Sequence, residues 1–467
     1  MDKLFKKAST SIDENVQGRF ERYSLSENPF PSNPYVNKDS MEKKFNGSIY
    51  EDAIRQDEFS KFKSNFLQCS QSDPNHLRLG FVIDSSYIGR GNGKSAFLVN
   101  LSRKINSNFA LDLSNNINKC FAVYFAPEGG GKTKTFEKFV DIFFEALFSS
   151  NIINTCLAIL RYEALQKLDK VNIIGEIESE DDLIVKLNDE KTFRNFEDKQ
   201  AMTRVIFNNE HLRSLPNEFP LYNNFHYSLK PLVTQNTFLG YFKELRKEKD
   251  KYEYVFTQLI SLFIAAGFGG SYVFVDDFER IPEFQSSIQR KDFATQLRTV
   301  QYDGNYLNSK VGFYNFVFAL HAGVPRLMQE AWETAGLEQR VPINSNFVPR
   351  HNIMFEKINE GHARLLIKKY LSEFRQKERF KENELYPFTT EVIDEIARTS
   401  ELNASRILQI ANNLIEFAAD RDLSIINYDS LQLFKRNTSG NPLEEGKSKD
   451  ISTTSTIDLI SKSQNDG

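Results

Sequence analysis

Apolar residues in this chain fall into two kinds of pattern that take turns along the sequence. Residues 79–83, Cys120–Phe125, 273–275 and Tyr314–Leu320 are mostly apolar runs that read as buried strands. Between them lie stripes at helical spacing: Phe136, Phe139, Val140, Phe143, Phe144 and Leu147 predict a helix over 135–148, and comparable stripes predict helices over 96–105 and 252–268. Ahead of the first strand, Phe59, Phe62, Phe66 and Leu67 predict another, capped near 47–52. Strand and helix in alternation predict an α/β fold, a parallel sheet flanked by helices.

The rest of the chain departs from that alternation. Residues 1–46 read as an arm and then, from Pro29, Pro31 and Pro34, an extended segment, because each proline keeps its predecessor out of the helical region. Helical pieces at 152–168, 196–210 and 238–248, broken by acids at 176–182 and by Pro216, Pro220 and Pro231, predict a helical insertion over about 151–250. Stripes at 361–374, 389–400 and 404–419 predict a small helical bundle. The expected organisation is therefore an arm (1–46), a core (47–350), a helical lid (351–434) and a tail (435–467) too poor in apolar residues to fold.

Composition narrows the function classes. At 467 residues, 26% charged and a formal net charge of -4, the chain is not a general nucleic-acid binder, although a local basic patch is compatible with these numbers. Six histidines and three scattered cysteines, Cys69, Cys120 and Cys156, indicate neither a metal cluster nor a disulfide framework, and point to a reducing cytoplasm. No stretch has the length to span a bilayer; the longest, 255–270, is interrupted by Gln258 and glycines, so no membrane partner is expected.

Chemistry concentrates after the first strand, at Gly89, Arg90, Gly91, Asn92, Gly93, Lys94 and Ser95. A glycine-rich turn between strand and helix presents backbone N–H groups on the positive end of that helix, where phosphates bind. Lys94 would reach the β and γ phosphates and Ser95 would ligate Mg2+. The apolar run 273–275 ends in Asp276 and Asp277; paired carboxylates at the end of a buried strand call for a cation. Asp276 is the Mg2+ acid of this reading, Asp277 the first choice for orienting the attacking water and Glu279 the fallback. His321, after the fourth run, either senses the γ phosphate or is a packed histidine. Arg340 is either a surface arginine or a finger for a neighbouring subunit, and Arg406, at a predicted helix start, is either exposed or turned to phosphates. Residues 129–133, Gly-Gly-Gly-Lys-Thr, imitate a second phosphate loop but read more simply as a turn or a contact surface, the best local candidate for a DNA backbone phosphate.

This order of motifs resembles the AAA+ superfamily of phosphate-loop ATPases, in the branch of the origin-recognition, ExeA-like secretion and transposition-helper ATPases. Gly91–Ser95 and Val273–Asp277 correspond to its Walker A and B motifs. The resemblance also implies that Ile49 and Tyr50 line the nucleotide base, that Arg340 is an arginine finger, and that Arg406 is the second sensor. It is similar, too, to ATP-binding proteins of bacterial antiphage and DNA-modification operons. A slow ATPase using ATP and Mg2+ is implied, working as a homo-oligomer or with other products of its operon, with duplex DNA within reach; the alternative is a nucleotide-bound adaptor. Three positions depart from the family pattern: Ile88 replaces a glycine, Asp277 a glutamate, and Ala404 and Ser405 a proline and an arginine.

Overall fold

The computed structural model describes residues 18–69, 76–85, 90–221, 232–343, 350–376 and 383–438. The chain divides into two compact units, residues 36–357 and residues 1–35 with 358–467. The larger holds a five-stranded sheet in the order β2-β3-β4-β1-β5, with β1 Leu79–Asp84, β2 Cys120–Phe125, β3 Gly270–Val275, β4 Tyr314–Leu320 and β5 Asn352–Phe355. Every pairing is parallel, as expected of an α/β fold. β5 is a correction: these four residues were expected to begin the lid, and they pair with β1 instead, two of them (Ile353 and Phe355) fully buried. Four residues are too short for an apolar run to announce a strand.

Period-two alternation sorts the strands into two faces. Leu79, Phe81 and Ile83, Val273 and Val275, and Tyr314, Phe316, Phe318 and Leu320 enter one core, shared with the helices Phe136–Ser149, Ile152–Lys167 and Ser287–Tyr302. The insertion packs on this face, its Leu187, Phe193, Met202 and Phe238 continuing the same core. The buried Arg161 ties its pieces together, donating to the carbonyl of Leu187 at 3.0 Å and to Asn188 Oδ1 at 2.6 Å. The opposite face carries Val82, Ala122, Tyr272, Phe274, Val317 and Ala319 against Phe97, Leu98, Leu101 and Ile105 of α1 (Lys94–Ser107). Gly80 lies on that face because a Cβ there would stand 2.4 Å from the ring of Phe66.

In the second unit the arm is not separate. Phe30 is buried 6.1 Å from the Tyr370 ring and 5.8 Å from Phe388, while Asn28 Nδ2 donates to Glu416 Oε1 at 2.7 Å and Asn412 Nδ2 to the Phe30 carbonyl at 2.7 Å. The expected arm therefore divides, 18–35 joining the helices Glu360–Glu373, Thr390–Thr399, Ala404–Asp420 and Tyr428–Thr438, and 36–46 joining the sheet unit. The last helix extends three residues past the expected start of the tail; residues 1–17 and 439–467 lie outside the described residues. Among the described residues no single helix is long and apolar enough to cross a membrane; Phe136–Ser149 and Ile152–Lys167 reach that length only as a pair bent by 52°.

Candidate functional site

Alternation along the strands determines what stands at the carboxyl edge of the sheet. Continuing the face occupied by α1 places Asp84 at the end of β1, Tyr124 near the end of β2, Asp276 just past β3 and His321 just past β4. The helix α1 begins at Lys94 on the same face, after a turn in which Gly91 and Gly93 have φ of 105° and 89°, a backbone that side chains with a Cβ rarely adopt. Gly89 lies outside the described residues. The turn is held from a second side by Arg55, buried on the segment before β1, which donates to the Asn92 carbonyl at 2.8 Å and pairs with Glu58 at 2.8 Å.

The structure brings the two expected metal ligands together. The Asp276 carboxylate accepts from Tyr124 Oη at 2.7 Å and from the Asp277 N–H at 3.0 Å, and the Ser95 side chain stands beside it and favours its ionised form. Burial, followed by the charge of Asp277, pushes the Asp276 carboxyl above the usual carboxylate range, against those hydrogen bonds. A desolvated carboxylate and a hydroxyl side by side are hard oxygen donors of the type Mg2+ takes, so the residues fit the ion. Tyr124 was not singled out by the sequence, where it is one more apolar-run aromatic.

The two acids after Asp276 differ sharply. Asp277 has a left-handed backbone, φ 45°, and its carboxylate is taken by Arg280. That turn brings Glu279 back into the site, 4% exposed and 3.6 Å from Arg90 of the phosphate loop. Burial raises its carboxyl to about 7, with Asp277 adding to the rise and Arg90 and Lys94 opposing it. Of the two acids, the fallback Glu279 faces the glycine turn, and the first choice Asp277 is engaged by Arg280.

Lys94 has a partner that sequence reasoning missed. Its ammonium pairs with Asp84, whose other oxygen accepts from Asn92 Nδ2 at 2.9 Å; the Asp84 side chain is 1% exposed. Ile49 is buried, and Tyr50 packs on the core that includes Phe97 and Phe355. Their segment runs along α1, with Arg103 donating to the Asn46 carbonyl at 2.8 Å and Lys104 pairing with Asp52 at 2.8 Å.

Arg340, in the same unit, does not join this cluster. Arg340 caps the turn after the helix Val324–Thr334, its guanidinium 5.4 Å from the ring centroid of Tyr302. The opposite neighbour of that ring is Arg78, which immediately precedes β1. Arg340 is thus at the amino edge of the sheet, roughly 17 Å of strand away from the glycine turn. Arg406 belongs to the other unit, where it pairs with Glu401 at 3.2 Å. His321 Nδ1 accepts from the Gly323 N–H at 3.3 Å, a local turn contact. Residues 129–133 form a turn and not a second phosphate loop: Thr133 is buried and its hydroxyl accepts from the Glu128 N–H at 3.2 Å, while the next helix begins only at Phe136. No protein-family model matches the chain, and neither does any curated protein sequence.

Proposed function

We propose that this chain is a slow ATPase of the AAA+ type whose nucleotide state regulates a protein assembly on DNA. The observation that carries the reading is the placing of the Ser95 side chain beside Asp276, next to Lys94 at the start of α1. A single helix start then holds a phosphate-binding cation and one metal ligand, and a strand across the sheet supplies the other. The strand order supports it as well, since β4 separates the loop strand from the acid strand and delivers His321 between them.

In this mechanism the N–H groups of the glycine turn and Lys94 bind the β and γ phosphates, and Ser95 and Asp276 hold Mg2+. A metal held by Ser95 and Asp276 would supply positive charge beside the phosphates. Glu279, buried and facing the loop, orients the attacking water and accepts its proton. Arg340, remote from its own loop, acts on the nucleotide of an adjacent subunit, where one arginine stabilises the transferring charge. The role on DNA and the operon partners rest on the resemblance alone.

Steady-state hydrolysis measured with and without duplex DNA tests the reading. Turnover that DNA stimulates supports it, and nucleotide binding without turnover in either condition supports the adaptor alternative. Mixing an Arg340→Ala chain with a Lys94→Ala chain tests the trans arginine: restored hydrolysis supports it, and full activity of Arg340→Ala alone removes the residue from the mechanism.

A further inference from the structure

Each cation bonded to the loop or to the acid strand has a carboxylate partner. Arg55 pairs with Glu58, Arg90 with Glu279, Lys94 with Asp84 and Arg280 with Asp277. Asp276 is the exception, since its donors, Tyr124 and a backbone N–H, and the neighbouring Ser95 are all neutral. Lys38 also comes near, but it is exposed and directed at the Tyr124 carbonyl and ring. The site as folded therefore presents compensated cations and one surplus carboxylate.

We infer that Asp84 makes the loop selective for the metal–nucleotide complex over the free triphosphate. The inference rests on the nucleotide reading above and adds a determinant to it. A free triphosphate carries about four negative charges, and at a desolvated strand edge its repulsion by unscreened carboxylates is strong. Lys94 would ordinarily offset that repulsion, but Asp84 cancels its charge from a buried position. A divalent cation at Ser95 and Asp276 restores the attraction. Asp84 itself is not at the metal position: β4 lies between β1 and β3, so the two strand ends are separated by about 10 Å. Asn92 donates to the other oxygen of Asp84, so an asparagine at 84 removes the charge and keeps a carbonyl acceptor for one of the two donors at nearly the same shape.

The test is fluorescence titration of full-length protein with the ATP analogue mant-ATP, once with Mg2+ and once with a chelator. Wild type should bind the Mg2+ complex at least ~10-fold more tightly than the free analogue. Asp84→Asn should gain about tenfold for the free analogue, equivalent to ~1.4 kcal/mol, with little change for the Mg2+ complex. An unchanged ratio in Asp84→Asn, or weaker binding of both forms, overturns the proposal and leaves the nucleotide reading intact. No binding of either form by wild type overturns the nucleotide reading itself. If Asp84→Asn does not fold, as judged by its melting transition, the wild-type ratio decides, and a value below ~10 overturns the proposal.

Discussion

The side chain of Ser95 stands beside the carboxylate of Asp276 and favours its ionised form, although one residue lies in the first turn of α1 and the other follows β3, beyond the insertion in sequence. In the proposed reading these are two of the oxygen donors of a magnesium ion. Asp276→Asn keeps the shape and the Tyr124 contact while removing the charge. Its Mg2+-dependent turnover should fall ~100-fold or more, corresponding to the several kcal/mol a metal contributes to the transition state. Initial rates at saturating Mg2+ check this, and turnover at the wild-type rate would assign the metal to another acid.

Glu279 and Asp277 give the second prediction. Glu279→Gln should lower kcat by ~100-fold, within the range for loss of a general base. Asp277→Asn should lower it by less than ~5-fold, because that carboxylate is occupied by Arg280. Single-turnover rates of the two variants decide the ranking, and the larger loss in Asp277→Asn would reverse the assignment.

The same glutamate predicts a pH dependence of stability. Burial raises its carboxyl from an ordinary 4.5 to about 7, so the folded chain binds the proton more tightly than the unfolded chain. Its contribution is fully present below about 4.5 and is lost as pH rises toward about 7, a change of up to ~3 kcal/mol. Urea denaturation of wild type and Glu279→Gln across that window should show the wild type losing stability relative to the variant. Parallel curves would mean that Glu279 is solvated.

Arg55 provides a test of the loop's support. Arg55→Met removes the donor to the Asn92 carbonyl and leaves Glu58 buried without its cation. Breaking a buried pair on one side costs about 3–5 kcal/mol. Arg55→Met/Glu58→Met should recover most of that stability in thermal or urea melts; equal loss in both would place the cost in the loop contact and not in the ion pair.

The sheet was legible because its strands are buried on both faces and therefore appear as mostly apolar runs; β4 is found at Tyr314–Leu320 as read. β5 was not, since Asn352–Phe355 is too brief to stand out from the surrounding polar sequence. In the site, Gly91, Gly93, Lys94, Ser95 and Asp276 carry their chemistry in local order. Glu279 displaced Asp277 only through the left-handed turn at residue 277, which spacing does not reveal. Asp84 had a usable signal: it ends a buried apolar strand with a charge, the same feature that drew attention to Asp276. Arg55 had none, because an arginine in a polar helix start looks exposed until the fold buries it.

The central claim, that the glycine turn and Lys94 bind nucleotide phosphates, is tested most directly by calorimetric titration of MgATP. Lys94→Ala alone leaves the Asp84 carboxylate buried without its cation, so Asp84→Asn/Lys94→Met, neutral on both sides, separates loss of ligand from loss of fold. Wild type should bind MgATP saturably, and the folded double variant should bind it ~100-fold more weakly, the loss of a charge-assisted contact of about 3 kcal/mol. Absence of binding by wild type, or equal affinity in the double variant, would contradict the account.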